Sequence, residues 1–335
     1  MSISSKTFIP LCIPEIQGNE WTYIKECLDT GWVSSVGSYV NKFEDDLAAY
    51  VGQPCAVATV NGTAAIHTAL MTCDVQPDDE VLVSTMTFIA PVNAIRYTGA
   101  HPVLVDCEPD YWQMNPEKIV EFFQTQCTYR DGTLINNQTG RKITAIIPVH
   151  ILGHPVAIEA ICDIAKDYNL KVIEDATESL GASYKGQKIG TFGDMACFSF
   201  NGNKLITTGG GGMIVTSDEA LAHRARHLTT QAKHDALEYI HDEVGYNYRL
   251  TNLQAALGVA QLEQINSYIA KKLSIARKYN DALKNISGIS PMQESPEADS
   301  VFWLYTVYIN AEVYGMTARE LLHKLHEEQI QTRPL

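Results

Sequence analysis

Short apolar runs alternate with segments of helical periodicity between residues 55 and 217. Most of these runs are continuously apolar and rich in β-branched residues, which predicts strands that are buried on both faces. The predicted strands are residues 55–60, 80–84, 102–107, 143–149, 171–174, 197–200 and 213–216. Helix-sized segments at residues 63–73, 116–126 and 156–168 separate several of them. This alternation predicts an α/β fold with a mostly parallel central sheet that helices cover.

The rest of the pattern predicts a loop, a long helix and the start of a smaller domain. Residues 128–141 are polar and rich in Asn, Gly and Thr, which predicts a surface loop. Thr251 is the expected N-cap of a helix that places Leu253 and Leu257 on one face and continues through Leu273. A strand over residues 301–309 and a helix over residues 318–328 are predicted to follow.

These elements divide the chain into a large domain with an N-terminal arm at residues 1–250 and a linking helix with a small α/β domain at 251–335. Residues 329–335 have the pattern of entry into another strand. One strand and one helix bury their faces poorly. We therefore expect either that the sequence is truncated or that a partner completes the domain, and we favour truncation.

Composition narrows the possible partners. The chain has 335 residues, 45% of them hydrophobic, and a net charge of -14, which argues against nucleic acid and anionic membranes as partners. No apolar run reaches the length of roughly 18 residues that a spanning helix needs, and residues 1–6 lack the apolar core of a signal peptide. Eight scattered cysteines without a Cys-x-x-Cys pair predict reduced thiols in a cytoplasmic protein.

One strand–helix junction could bind phosphate. Asn61-Gly62-Thr63 joins the first predicted strand to a helix. A glycine lets the backbone approach a ligand, and a helix N-terminus offers free N–H groups and a partial positive charge. Many such junctions use Gly-Thr only as a cap, so this feature alone leaves both interpretations open.

The order of a carboxylate and an amine along the chain indicates a possible active site. Asp175 ends a buried strand, where open parallel sheets bind ligands, although an Asp there is often a turn residue. Lys204 would ordinarily be a solvated surface lysine. However, it closes the run 197–204, and four glycines follow at residues 209–212. An amine, an upstream carboxylate and glycine-rich turns are what a pyridoxal phosphate enzyme requires.

Two rival kinds of site fit the sequence less well. A nicotinamide enzyme needs Gly-x-Gly-x-x-Gly between a strand and a helix, whereas the glycines at 209–212 precede a strand. The pairs His150/His154 and His223/His227 have a four-residue spacing. The first pair spans a strand end and a loop, and the second lies in a basic helix, so neither is expected to bind a metal.

Taken together, these motifs resemble the DegT/DnrJ/EryC1/StrS family of sugar aminotransferases. The resemblance covers nearly the whole chain and implies pyridoxal 5'-phosphate as cofactor and the aspartate aminotransferase (type I) fold. The matching motifs are Gly31-Trp32-Val33-Ser34-Ser35-x-Gly37, Asn61-Gly62-Thr63-Ala64-Ala65, Thr87-Phe88-Ile89-Ala90, Glu174-Asp175-Ala176, Ser199-Phe200-x-x-x-Lys204, Thr208-Gly209-Gly210-Gly211-Gly212 and Gly245-Tyr246-Asn247-Tyr248-Arg249.

The resemblance implies a role for each matching cofactor residue. Lys204 would form the Schiff base and, once displaced, carry the proton between the substrate carbon and C4′ of the cofactor. Asp175 would pair with the pyridine nitrogen, and Phe88 would stack on the ring. Glu178 stands where a Gln, a His or a similar polar residue usually meets the phenolic oxygen. The remaining contacts are expected at the phosphate, from the backbone of Gly62, Thr63 and Ala64 and the hydroxyl of Ser199.

Other matching residues are implied at the substrate and at a partner subunit. Asn247 would reach the phosphate at the other subunit's cofactor, which makes a homodimer with shared active sites the expected assembly. Arg249 would face the donor's carboxylate or the sugar's diphosphate. Trp32, Ser34 and Ser35 would lie on the sugar side.

The resemblance also implies a reaction. Related sugar dehydratases replace the lysine with histidine, so Lys204 favours transamination from glutamate to C4 of a nucleotide-linked 4-keto-6-deoxy sugar. Residues 31–35, 88–97 and 174–181 look closest to aminotransferases of legionaminic-type biosynthesis, which implies UDP-2-acetamido-2,6-dideoxy-hexos-4-ulose. The runner-up is a perosamine-type enzyme that acts on GDP-4-keto-6-deoxymannose. A non-catalytic scaffold or regulator of the same fold is the alternative of a different class.

Overall fold

A computed structural model describes residues 7–235 and 237–335 of the chain. The first six residues of the expected N-terminal arm lie outside the described residues. The helices are α1 (Glu20–Thr30), α2 (Ser38–Val51), α3 (Gly62–Thr72), α4 (Ile89–Tyr97), α5 (Pro116–Gln126), α6 (Ile158–Asp167), α7 (Glu219–Thr229), α8 (Asn252–Leu262), α9 (Ile265–Leu283), α10 (Ala311–Tyr314) and α11 (Ala318–Glu327).

The strands form one large sheet and three small ones among these residues. They are β1 (Cys55–Thr59), β2 (Glu80–Ser84), β3 (His101–Val105), β4 (Cys127–Arg130), β5 (Thr133–Asn136), β6 (Lys142–Ile147), β7 (Lys171–Asp175), β8 (Ser183–Tyr184), β9 (Gln187–Lys188), β10 (Met195–Ser199), β11 (Gly212–Thr216), β12 (Lys233–Asp235), β13 (Ile240–His241), β14 (Ile289–Pro291), β15 (Ala298–Asp299) and β16 (Val307–Ile309). All seven strands that the sequence predicts in the large sheet are present, with shifts of one or two residues at their ends.

The large sheet runs in the order β1-β11-β10-β7-β6-β2-β3. The strands from β10 to β3 are parallel, whereas β11 is antiparallel to both β10 and β1. Two reversals cancel, so β1 runs in the same direction as β10. The C-terminal ends of β1, β10, β7, β6 and β2 therefore meet at one edge of the sheet, together with the N-terminal end of β11.

Both faces of the sheet are buried, which explains the continuously apolar strands. Neighbouring residues of β6 belong to opposite sides: Ile146 packs into one hydrophobic cluster and Ile147 into the other. Side chains alternate across a strand, so a strand that is covered on both faces needs an apolar residue at nearly every position. The expected α/β class is confirmed.

The predicted surface loop at residues 128–141 is wrong, because β4 and β5 form an antiparallel hairpin there that joins the edge of β6. Buried Glu80 anchors the connection beyond β5. It accepts hydrogen bonds from Asn136 Nδ2 and Thr139 Oγ1, both at 2.8 Å. Polar composition suggested a loop, but pairing with β6 and the distant carboxylate stabilise strands instead.

The predicted single helix after Thr251 is two helices. Thr251 is the N-cap of α8, and its side chain and Gln254 form a capping box. The chain turns at Glu263 and Gln264, and α9 begins at Ile265. The apolar periodicity persists across the break because α8 packs against α1 and α2, while α9 buries Ile265 and Tyr268.

The predicted strand at residues 301–309 is wrong for most of its length, because only β16 is a strand, paired with β14. Val301 and Trp303 are buried, and the amide of Val301 donates to the carbonyl of Gly153 at 3.0 Å. This segment is apolar because it packs against another part of the chain rather than because it pairs in a sheet. The predicted helix over residues 318–328 is present as α11.

Two chemical expectations can be compared with the structure. All eight cysteines are free thiols, in agreement with the expected reduced state. In the part of the chain that the structure describes, no helix combines the length and the apolar character needed to cross a membrane. The division into domains at residue 250 stays a prediction.

Candidate active site

The C-terminal edge of the sheet gathers most of the predicted cofactor residues. Asp175 is the last residue of β7, Ser199 is the last of β10, and Gly62 begins α3 after β1. β7 and β10 are neighbours, with Asp175 opposite Cys197. Ligands bind at this edge of open parallel sheets because the connecting loops and helix N-termini converge there. The topology therefore brings together motifs that are far apart in the sequence.

Asp175 is a buried carboxylate with 3% exposure. Its Oδ1 accepts the amide of Thr177 at 3.1 Å, and within the described residues no cationic group lies within salt-bridge distance of it. Burial raises the pKa of Asp175, while the hydrogen bonds from Thr177 and the positive charge of Lys204 oppose this rise. A protonated pyridine nitrogen would supply a counter-charge and would lower the same pKa.

A second carboxylate, that of Glu174, stabilises the strand end that carries Asp175. Glu174 points to the opposite side of β7, where its oxygens accept the amides of Gly190, Phe192 and Gly193 at 2.9–3.0 Å. His150 Nε2 lies 3.1 Å from Glu174 Oε2. The partners of Glu174, chiefly His150, lower its pKa and outweigh the effect of complete burial.

His150 forms hydrogen bonds within the chain through both of its ring nitrogens. Its Nδ1 accepts the amide of Val156 at 3.1 Å, so Nε2 carries the proton that is donated to Glu174. The amide of His150 donates to the carbonyl of Asp175 at 3.1 Å. Both ring nitrogens are engaged, and this imidazole braces the strand end that carries Asp175. Sequence reasoning missed this role because residues 150 and 174 are joined only by strand pairing.

Lys204 lies in a cluster with Glu178 and Trp303, which we call the lysine cluster. The Lys204 Nζ is 3.3 Å from Glu178 Oε1 and 4.0 Å from the centre of the Trp303 ring. Both partners are largely shielded from solvent, with Trp303 only 6% exposed. Sequence reasoning found Lys204 and Glu178. It missed Trp303, which was interpreted as part of a strand, and no spacing rule relates residue 303 to residue 204.

Glu178 is fixed by two donors. Besides Lys204, the amide of Leu152 donates to its Oε2 at 2.8 Å. Burial raises the pKa of Glu178, whereas Lys204 and the Leu152 amide favour the charged form. The predicted contact of Glu178 with a phenolic oxygen stays a prediction. The structure shows that this carboxylate already faces the amine of Lys204.

The turn before α3 forms a narrow cradle with Ser199. A methyl group placed at Gly62 would lie 2.9 Å from Ser199 Cβ and 3.2 Å from Thr177 Cγ2, so the backbone approaches closely here. The amides of Gly62 and Thr63 belong to the first turn, where a helix provides no internal acceptors. The Ala64 amide instead donates to Asn61 Oδ1 at 2.8 Å. Gly62, Thr63 and Ser199 therefore fit a phosphate best, and the contact from Ala64 competes with this cap.

Phe88 follows β2 at the same edge, immediately before α4. Its side chain is 71% exposed, an unusual position for a large apolar ring. A planar aromatic ligand would cover such a face by stacking. The stacking role of Phe88 stays a prediction.

Several predicted substrate residues share one cleft. The arginine cleft has a volume of about 420 Å³ and is lined by Trp32, Ser35, Val36, Gly37, Ser38, Asn41 and Arg249. Arg249 Nη1 lies 3.3 Å from Glu44 Oε1, and burial lowers the pKa of Arg249. Asn252 fixes the cleft wall: its amide donates to the carbonyl of Ser34, and its Nδ2 donates to the carbonyl of Trp32.

Asn247 lies apart from the lysine cluster in its contacts. Its side chain is exposed, and its backbone forms an isolated bridge with Thr230. The neighbouring Tyr246 and Tyr248 stack on each other with ring centres 5.0 Å apart. Backbone hydrogen bonds from Tyr246 and Tyr248 to the end of α7 hold this segment in place. The role of Asn247 at a partner subunit stays a prediction.

The second histidine pair lies in a different surface cluster. His227 Nε2 is 2.8 Å from Asp242 Oδ1 and 3.4 Å from Glu243 Oε1. Arg224 forms a two-nitrogen contact with Glu243, which already neutralises that carboxylate. His223 contributes no ligand atom to this group among the described residues. The four-residue spacing of His223 and His227 therefore reflects their positions on helix α7 and not a shared site.

The residues present fit pyridoxal phosphate. A buried carboxylate suits a protonated ring nitrogen, a close glycine–serine cradle at a helix N-terminus suits the phosphate, and a shielded amine suits the aldehyde. These three features lie at one edge of the sheet. The glycines at 209–212 do not form a dinucleotide-binding loop, because they lead into strand β11 and not into a helix.

Comparisons with known proteins agree with this chemistry. GDP-perosamine synthase of Escherichia coli O157:H7 is 41% identical over 329 residues, which cover 98% of this chain and 84% of that protein. GDP-perosamine synthase of Caulobacter vibrioides is 39% identical over 328 residues, covering 98% and 84%. The crystal structure of S. venezuelae DesV superimposes with a TM-score of 0.82 at 31% identity, covering 93% of this chain and 78% of that one.

The sequence pattern of one family extends over almost the entire chain, from residue 14 to residue 335. Aminotransferases of this family depend on pyridoxal phosphate. The match confirms the fold, the cofactor and the class of reaction that the motifs imply. This chain therefore belongs to the DegT/DnrJ/EryC1/StrS aminotransferase family and is a pyridoxal phosphate-dependent sugar aminotransferase.

Proposed function

We propose that the chain transfers the amine of glutamate to C4 of a nucleotide-linked 4-keto-6-deoxy sugar, with GDP-4-keto-6-deoxymannose as the favoured acceptor. The lysine cluster carries the proposal of transamination, because it places a shielded amine beside the carboxylate edge of the sheet. Both relatives described above are GDP-perosamine synthases, which supports the GDP-linked sugar over the UDP-linked sugar of legionaminic-type pathways.

Each side chain at the sheet edge has a defined task in this proposal. When bound, pyridoxal phosphate supplies an aldehyde that accepts amines and a ring that delocalises electrons from the adjacent carbon. Asp175 keeps the ring nitrogen charged, and Gly62, Thr63 and Ser199 hold the phosphate. Lys204 binds the cofactor and moves a proton at the substrate carbon. Its enclosure keeps water away from that proton transfer.

Arg249 is proposed as the anion-binding residue of the arginine cleft. Its guanidinium lines the cleft beside Trp32 and Ser35, and Glu44 holds it in position. A planar guanidinium suits a carboxylate or a diphosphate because it can donate two parallel hydrogen bonds. Trp32 and Ser35 would then contact the sugar, with Ser34 supporting the loop through its backbone.

Arg226 provides a matched control for Arg249. Both side chains bind Glu44, but only Arg249 lines the cleft. Arg249→Lys should raise the KM for glutamate or for the sugar about tenfold, a loss of about 1.4 kcal/mol in binding. Arg226→Lys should leave both KM values near those of the wild type. Equal effects in steady-state kinetics would contradict an anion-binding role that is specific to Arg249.

We propose a homodimer in which Asn247 completes the site of the partner subunit. The exposed side chains of Asn247 and of Ile89 and Tyr97 on α4 support this arrangement, because large apolar side chains that are left exposed are often buried at interfaces. Lys204→Ala and Asn247→Ala proteins should each be impaired alone. In co-expressed mixtures, half of the dimers are hybrids with one intact site each, which should restore about a quarter of wild-type activity.

Failure of the co-expressed mixture to exceed the parent variants would contradict shared sites. Light scattering of the wild type gives an independent measure of the assembly. A monomer in solution would contradict the dimer without affecting the assignment of Lys204.

The acceptor can be identified directly. Purified protein is incubated with glutamate and either the GDP-linked or the UDP-linked 4-keto sugar, and products are analysed by mass spectrometry. We expect an amino sugar from the GDP-linked substrate and release of 2-oxoglutarate. Amination of only the UDP-linked sugar would reverse the order of the two candidates.

A cheaper observation separates an enzyme from a non-catalytic scaffold. Glutamate alone should bleach the visible absorbance of the cofactor-loaded protein, because the first half of the reaction converts the cofactor to its amine form. A scaffold would show no change. Lack of colour after addition of pyridoxal phosphate would contradict cofactor binding itself.

A further inference from the structure

We propose that Trp303 is a positioning residue for Lys204: its indole face holds the amine whenever the lysine is not bonded to the cofactor. This inference rests on the proposed function, since transamination must release the lysine and take it back. The amine lies 4.0 Å from the centre of the Trp303 ring, within the range of a cation–π contact, and 3.3 Å from Glu178 Oε1. An aromatic face and one carboxylate oxygen thus confine the amine.

The indole is fixed relative to the backbone that carries the lysine. Trp303 Nε1 donates to the carbonyl of Asn203 at 2.7 Å, and Asn203 directly precedes Lys204. The carbonyl of Trp303 accepts Lys272 Nζ at 2.9 Å. The bond to Asn203 fixes the ring relative to the backbone that carries Lys204. A shift of that backbone would therefore move the ring and the lysine together.

The segment that carries Trp303 is tied to the turn that follows β6. Val301 donates to the carbonyl of Gly153, and Ser300 Oγ donates to the same carbonyl, each at 3.0 Å. Gly153 has φ +88, and a methyl group there would lie 2.9 Å from the Trp303 amide nitrogen. The ring is therefore held closely against the loop beside Glu178 and cannot readily swing away.

An aromatic face suits a lysine that must leave and return. A carboxylate alone would hold an ammonium group in a directional, charge-assisted hydrogen bond that resists release. The ring attracts the same cation without a single preferred hydrogen-bond direction. It also restricts a long side chain that otherwise has many rotamers. Glu178 and Trp303 together keep the amine near its reaction position without fixing it there.

The contact can be tested without turnover, by NMR of the full chain that contains lysine labelled with carbon-13 at Cε. The protein is loaded with pyridoxamine 5'-phosphate, which offers no aldehyde to Lys204. Lys204→Ala identifies the Lys204 signal by its loss. We expect the Lys204 methylene signal upfield of the exposed lysines in the wild type, because it lies over an aromatic ring.

Three tryptophan variants distinguish positioning from general packing. Trp303→Phe keeps an aromatic face and should keep part of the upfield displacement, whereas Trp303→Leu should lose it. Trp21→Leu is the matched control, since Trp21 is 79% exposed on α1, and it should change nothing. Circular dichroism and thermal unfolding identify any variant that fails to fold.

The kinetic expectation follows from the same contact. Loss of the cation–π interaction in Trp303→Leu should lower kcat about tenfold, with Trp303→Phe between it and the wild type. An undisplaced Lys204 signal in the wild type, a displacement that persists in Trp303→Leu, or an unchanged kcat in that variant would overturn the proposal. If the Lys204 signal is displaced but the protein aminates no sugar, the proposed acceptor is wrong. The position of the Lys204 amine over Trp303 is still supported in that case.

Discussion

At the scale of the residue, the surroundings of Lys204 distinguish it from an ordinary surface lysine. A lysine is ordinarily a solvated cation, but here Glu178, Trp303 and the nearby charge of Asp175 surround its amine. The two carboxylates differ in their neighbours: Glu178 contacts the amine directly, whereas Asp175 lies at the strand end with Thr177 as its hydrogen-bond donor. This separation leaves Asp175 available for its predicted contact with the cofactor ring.

Replacement of Lys204 by alanine should abolish sugar amination. The variant loses both the covalent anchor and the proton carrier, so kcat/KM should fall by at least about a thousandfold. Lys118→Ala is the control, because Lys118 is exposed and, among the described residues, forms its salt bridge with Glu121 one helical turn away. Steady-state kinetics with glutamate and the keto sugar measures both. A Lys204→Ala protein with more than a few per cent of wild-type activity would contradict the assignment.

At the scale of the element, end signals fix where helices begin. Two capping boxes have the same chemistry: Thr251 with Gln254 at α8, and Thr317 with Glu320 at α11. Their surroundings differ. α8 packs against α1 and α2, whereas α11 has no fully buried residue among those described. The same substitution should therefore have different consequences.

Thr251→Ala should lower the free energy of unfolding by about 1 kcal/mol, because the first turn of α8 loses its acceptor while the helix stays part of the core. Thr317→Ala should have a smaller effect on global unfolding, since an exposed helix can fray locally. Chemical denaturation of both variants gives the comparison. Equal losses would contradict the distinction between a core helix and a peripheral one.

The hairpin of β4 and β5 depends on one distant carboxylate. Glu80→Ala should leave the side chains of Asn136 and Thr139 without their acceptor. The hairpin should open more often, and its backbone amides should exchange with solvent at least several-fold faster. Glu121→Ala is the control because Glu121 is exposed on α5 and bonds to Lys118. Hydrogen exchange measured by mass spectrometry gives the comparison. Equal protection of the hairpin amides in the two variants would contradict the anchoring role of Glu80.

At the scale of the whole molecule, histidine burial makes stability depend on pH. His154 is buried, stacks on Tyr111 and accepts the amide of Ser295 at 3.0 Å. Burial lowers the pKa of His154 from 6.5 to about 4. The unfolded chain therefore binds a proton on this residue at a higher pH than the folded chain does.

Because the folded-state pKa is lowered, the stabilisation is complete above pH 6.5 and is lost as pH falls towards 4. The loss attributable to His154 should reach about 3 kcal/mol at the lower end of that window. His154→Gln should flatten this part of the stability curve, whereas His223→Gln, at an exposed position, should not. Unfolding measured at several pH values would contradict the prediction if both variants keep the wild-type slope.

The sequence by itself determined the α/β class, seven of the nine strands of the large sheet and the candidate residues for its chemistry. Those features are local: a strand that is buried on both faces must be apolar throughout, and the chemistry of Lys204 and Asp175 is written in their side chains. The family and the cofactor followed because the motifs occur in a fixed order along the chain.

The tertiary structure alone decided which residues meet. Glu80 converts a polar segment into a hairpin, His150 reaches Glu174 through strand pairing, and Trp303 reaches Lys204 from a segment with the pattern of a strand. Such contacts join residues that are far apart in the chain. Apolar periodicity reports whether a residue is buried and not which partner covers it, so the lysine's aromatic neighbour became visible only in the folded chain.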